Sequence, residues 1–71
     1  MAVAQVQSKV EPQKLVRISE AAEFLSVSRS SVYGMMASGV LPFVKLGRSR
    51  RVRWADVFRL IERNTIGGEE A

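Results

Sequence analysis

The sequence predicts a small, mostly helical α+β domain in the order helix, turn, helix, two-stranded hairpin, helix. Three observations carry this. Two serine-headed apolar segments follow one another closely between residues 19 and 38. Period-two alternation then replaces helical periodicity over residues 44–54, and a last amphipathic segment opens at Asp56. With 71 residues, the chain is expected to form one domain near the lower size limit for an unstapled core. Residues 1–14 are polar and aperiodic and read as a flexible arm, 15–64 as the folded domain, and 65–71 as a loose acidic tail.

Each element has its own local reason. Leu15-Val16-Arg17-Ile18 is too short to assign, either a strand or an extended lead-in. Ser19 reads as an N-cap for a helix over about 19–25, with Glu20 and Glu23 in the first turn and Ala21, Ala22 and Leu25 on the apolar side, where Phe24 is a further candidate. Ser26-Val27 makes a turn. Ser28 caps a second helix over about 28–38, whose Val32, Met35 and Met36 share one face. Gly39 sits where a left-handed residue closes a helix, and Pro42 prevents continuation. Val44 and Leu46 alternate with Lys45, and Val52 and Trp54 with Arg51 and Arg53, which predicts two strands joined by Gly47-Arg48-Ser49-Arg50. Asp56 opens a third helix with Val57, Leu60, Ile61 and Asn64 on one face.

Charge is placed unevenly along this pattern. Residues 24–55 contain no Asp or Glu but hold Arg29, Lys45, Arg48, Arg50, Arg51 and Arg53, a net +6 against +4 for the whole chain. Such asymmetry creates a directional field that favours nucleic acid or another polyanion. The chain has no cysteine and no histidine, so disulfides, thiolate metal sites and the commonest general base are missing. Asp56 has no second acid or histidine beside it, and the core is too small to enclose a pocket. No enzymatic activity, cofactor or metal is expected. No apolar run approaches the roughly 18 residues that span a bilayer, and the start lacks a signal-peptide pattern. The expectation is a soluble cytoplasmic protein without a membrane partner, associated with the nucleoid of a bacterial host.

A tight pair of helices followed by a basic hairpin is a winged helix-turn-helix. At about 100° per residue, Ser30, Tyr33, Gly34 and Ala37 face away from the core side of the second helix, with Arg29 and Ser31 at the edges. Alternation buries Val52 and Trp54 while turning Arg51 and Arg53 outward, and the loop carries Arg48 and Arg50 beyond the body. Arginines on a narrow ribbon suit a groove lined by phosphates, where neutralisation releases counterions. The candidate DNA-binding residues are therefore Ser28, Arg29, Ser30, Ser31, Tyr33 and Gly34 on the helix. On the wing they are Lys45, Arg48, Ser49, Arg50, Arg51 and Arg53. Capping alone accounts for Ser28, and simple phosphate contact is an alternative to base reading for Arg29.

The residues Ser19-Glu20-Ala21-Ala22, Leu25 through Tyr33, Gly39, Leu41-Pro42, Lys45-Leu46-Gly47-Arg48 and Asp56 resemble the excisionase-type domains of the MerR-like winged helix superfamily. The resemblance covers about residues 15–62. It implies double-stranded DNA as partner, with helix 28–38 in the major groove and the hairpin in an adjacent minor groove. It also implies excision directed through a separate integrase, or transcriptional control. Gly34 departs from the pattern, since relatives often carry a larger polar or basic residue there.

One short helix and one wing read few base pairs, and a third helix of about ten residues is too short for a coiled-coil dimer. The expectation is a free monomer that assembles head-to-tail on neighbouring DNA sites. Phe58, Ile66, Glu69 and Glu70 are the candidate contacts between copies. A basic protein-interaction module without DNA binding is the alternative from another class.

Overall fold

The computed structural model describes residues 12–68. Its elements are β1 (Leu15–Arg17), α1 (Ile18–Leu25), α2 (Arg29–Ser38), β2 (Val44–Leu46), β3 (Ser49–Arg53) and α3 (Trp54–Arg63). The α+β helix-turn-helix architecture is as the sequence predicts, with one addition. The sheet has three antiparallel strands in the order β1-β3-β2, so the hairpin is tied to the body by β1. Register explains how three residues qualify as a strand: Val16 lies opposite Val52, and both are buried on the core face.

The cap of helix α1 lies two residues earlier than the Ser19 the sequence predicts. Arg17 occupies the cap position at φ −72° and ψ 156°, and Ser19 lies inside the helix. Burial of Ile18 draws the first turn into the core, and the Arg17 N–H is taken by Glu20 Oε1 at 2.8 Å. The helix ends at Ser26, whose φ of 59° is the one positive value among the described non-glycine residues. The strain of that left-handed conformation is offset by backbone bonds from Ser26 N–H to Glu23 O (3.1 Å) and from Val27 N–H to Ala22 O (3.0 Å).

Helix α2 follows the predicted chemistry at both ends. Ser28 Oγ accepts from the Ser31 N–H at 3.1 Å, and Gly39 closes the helix at φ 87°. Met35 O then accepts from the Val40 and Leu41 N–H groups, a turn that drops Leu41 into the core at 0% exposure. The core joins Val16, Ile18, Ala21, Ala22, Val32, Met36, Leu41, Val52, Val57 and Leu60, so every element except β2 contributes.

The hairpin differs from the sequence expectation in three ways. Leu46 pairs with Ser49, so the loop is only Gly47-Arg48, and Arg50 belongs to β3. Gly47 takes φ 61°, which a two-residue turn with glycine at its first central position requires. Leu46, expected on an apolar side, is 53% exposed because β2 is an edge strand lying past the core. Trp54 is not a strand residue but the first residue of α3. Pairing of β3 with β1 ends at Arg53–Leu15, and the next two amides donate instead to carbonyls upstream of β1. Trp54 N–H bonds Lys14 O (3.1 Å) and Ala55 N–H bonds Pro12 O (2.9 Å), which satisfies two helix-start donors and turns the chain out of the sheet. Part of the segment read as an arm over 1–14 thus anchors α3, while residues 1–11 lie outside the described ones.

Asp56 therefore sits in the first turn of α3 rather than opening it, and it is buried. Ile61 and Asn64, expected on the core face, are exposed, because entry from β3 rotates the buried stripe onto Asp56, Val57 and Leu60.

Candidate nucleic-acid interface

Two elements meet at the candidate surface, the outer face of α2 and the wing. On α2, Arg29, Ser30, Ser31, Tyr33 and Gly34 are all exposed. Ser28 and Ser31 are bonded to one another, Oγ to Oγ at 3.0 Å, in addition to the cap, so their hydroxyls already serve the helix start. A Cβ built on Gly34 would meet nothing within 4 Å. The chain's own packing therefore gives no reason for glycine there, although it costs an exposed helix about 1 kcal/mol relative to alanine.

On the wing, Lys45, Arg48, Ser49 and Arg50 are exposed and Arg51 is half-buried. Arg48 occupies the tip. Arg50, expected in the loop, instead reaches back toward the helix: its guanidinium carbon lies 5.8 Å from the Tyr33 ring centroid and 5.1 Å from that of Phe43. A cation over two aromatic faces joins the wing to α2. Arg51 Nη1 donates to Arg50 O at 2.9 Å.

Arg53 is placed differently from its neighbours. Its Nη1 lies 3.1 Å from Asp56 Oδ2, and Arg59 Nη1 lies 3.1 Å from Asp56 Oδ1. The buried carboxylate thus has both oxygens bonded, which resolves the cost of burying it. These are the ion pairs among the described residues, and neither involves Arg17, Arg29, Lys45, Arg48, Arg50 or Arg51.

Between α1, α2 and the wing lies an open cleft lined by Arg17, Arg29, Arg48, Arg50, Arg51 and Tyr33, with no carboxylate among its lining residues. Sequence reasoning missed Arg17, which lines the cleft together with Ile18 and Ser19, and Phe43, which supports the Arg50 guanidinium. The signal for Arg17 was its alternation with Val16 in a segment too short to assign. For Phe43 it was an aromatic residue directly before the first wing strand.

The remaining candidates lie elsewhere. Phe58 is half-buried, stacked on Trp54 at a centroid distance of 5.6 Å, and Phe24 meets both rings edge-on at 4.8 and 5.9 Å. Phe58 thus joins an aromatic cluster between α1 and α3, outside the buried core. Ile66 is 98% exposed, and Glu69 and Glu70 lie outside the described residues. No described helix is long and apolar enough to cross a membrane, and no group of potential metal ligands occurs among the described residues.

Comparison with known proteins gives one match: a family model described as a helix-turn-helix domain covers residues 15–65. No curated protein and no solved structure matches the chain significantly. The matched span runs from β1 through α3 and includes the α1–turn–α2 unit, the wing and the arginine cleft. The chain belongs to the helix-turn-helix domain family, whose fold implies DNA binding.

Proposed function

We propose that this protein is a sequence-selective DNA-binding and DNA-bending protein of the excisionase type, directing site-specific recombination by a separate integrase. The observation that carries this reading is the shared cleft, in which the exposed face of α2 and the arginines of the wing border one surface free of carboxylates. Arg29, Ser30, Tyr33 and Gly34 face the major groove, and Arg29 reads a base edge or a phosphate. Arg48 enters the adjacent minor groove, while Arg50, Arg51 and Lys45 hold its phosphates. Arg53 has a smaller part, because Asp56 engages its guanidinium. Copies assemble head-to-tail on neighbouring sites, and such a non-closing contact propagates along DNA and imposes a bend. The short α3 supports this order, since its ten residues provide no coiled-coil dimerisation helix.

The test is duplex binding as a function of salt, with DNA bending followed by circular permutation. With four to six cations on phosphates, log K falls against log salt with a slope on the order of −4 to −5. A double Arg48→Ala, Arg50→Ala variant lowers the steepness of that slope by about two and loses the bend. A folded double variant with full affinity overturns the docking, and salt-independent binding would point to a protein-interaction module instead.

A further inference from the structure

Arg17 and Arg51 lie directly opposite one another in the β1–β3 ladder. Side chains of directly opposed residues share one face of the sheet with Cβ atoms about 4.5–5.5 Å apart, and like charges there destabilise the pair. The rest of the ladder avoids the problem. Val16 faces Val52, and Arg53 faces Leu15 while bonding Asp56. On its other side Arg51 faces Val44, so β2 offers it no acid either. The nearest acidic partner of β1 is Glu20, but its Oε1 accepts the Arg17 backbone N–H and makes no ion pair with the guanidinium. Arg29, Arg48 and Arg50 border the same cleft and add to the repulsion.

The geometry points to a phosphate clamp: Arg17 and Arg51, helped by Arg29, close on a single phosphodiester group at the junction of α1, α2 and the wing. The ligand chemistry is a tetrahedral phosphate oxyanion, and its source is the backbone of duplex DNA, which rests on the DNA-binding reading above. Guanidinium groups suit it because their forked N–H donors match phosphate oxygens in pairs. Arg17 is thereby a DNA-contacting residue outside both the helix and the wing. The unmatched pair costs the free protein stability, which the bound phosphate restores.

The experiment separates this from ordinary surface charge. Thermal unfolding of the full chain is followed at low ionic strength in millimolar inorganic phosphate and in sodium chloride of equal ionic strength. Duplex affinity is measured in parallel against salt. The wild-type chain unfolds at a higher temperature in phosphate than in chloride. Arg17→Gln raises the midpoint in chloride by about 2–5 °C by relieving the repulsion, and it abolishes the phosphate increment. The same variant weakens duplex binding about five- to tenfold near 0.1 M salt and reduces the steepness of the salt slope by about one. Arg17→Lys, which keeps the charge, retains the wild-type midpoint in chloride.

An Arg17→Gln chain that binds duplex with wild-type affinity and slope overturns the clamp, as does one that is less stable in chloride. Failure of the underlying reading looks different: no duplex binding by the wild type, with the phosphate increment intact. That result keeps the clamp as an oxyanion site and removes DNA as its source.

Discussion

The guanidinium carbon of Arg50 lies 5.8 Å from the centroid of the Tyr33 ring, so one cation on an aromatic face links the wing to the exposed side of α2. Phe43 supports the same guanidinium from before β2, at 5.1 Å. Lysine carries the same charge but lacks the planar group that rests flat on a ring. Arg50→Lys is expected to weaken duplex binding by about 0.5–1 kcal/mol, and Arg50→Ala by more. Fluorescence anisotropy on a labelled duplex checks this, and equal affinity for wild type and Arg50→Lys would show that charge alone matters.

Gly34 offers a separation of stability from binding. Alanine there meets open space in the protein and has the higher helix propensity, so Gly34→Ala is expected to stabilise the fold by about 0.5–1 kcal/mol. If α2 lies close against DNA, the same methyl group weakens specific binding. Urea unfolding and duplex titration read the two effects, and stabilisation with unchanged affinity would remove Gly34 from the interface.

Asp56 holds two arginines from within the protein. Asp56→Asn leaves the group buried but weakens both charge-assisted bonds. Because the arginine side chains are 42% and 61% exposed and can hydrate, the loss is expected to be only about 1–2 kcal/mol. Freed from its partner, Arg53 becomes available to phosphate. Random-duplex affinity should rise and the salt slope steepen, and an unchanged slope would show that Arg53 cannot reach DNA.

Phe58→Ala removes one face of the aromatic cluster and is expected to destabilise the chain by about 1–3 kcal/mol, less than a fully buried phenylalanine would. Trp54, the single tryptophan, reports the change directly through its fluorescence. Wild-type stability combined with lost multi-site binding would instead assign Phe58 to contact between copies.

Assembly is tested by a chain ending at Asn64, which removes Ile66 together with Glu69 and Glu70. Cooperative binding to DNA carrying several sites should fall while binding to one site persists. Unchanged multi-site binding, or sedimentation of the free protein as a stable two-fold dimer, rejects assembly through the tail.

The sequence by itself determined the elements whose causes are local. Ser28 caps α2 because its hydroxyl reaches an amide three residues ahead, and Gly39 ends that helix because the left-handed conformation there favours glycine. Val32 and Met36 were legible as core from helical spacing, and the basic wing from the run between Lys45 and Arg53. Tertiary structure alone decided what depends on partners distant in the chain. Leu15–Arg17 is a strand because β3 supplies its hydrogen bonds, and no three-residue pattern could announce that pairing. Trp54 starts a helix because the carbonyls of Pro12 and Lys14 take up the first amides, overriding an alternation that continued past the end of the sheet. The same pairing sets Arg17 across from Arg51, so a residue whose alternation with Val16 was too short to read joins the arginine cleft. Charge sign and amount are written in composition, but which charges face one another follows from strand register, and register is settled by the whole core.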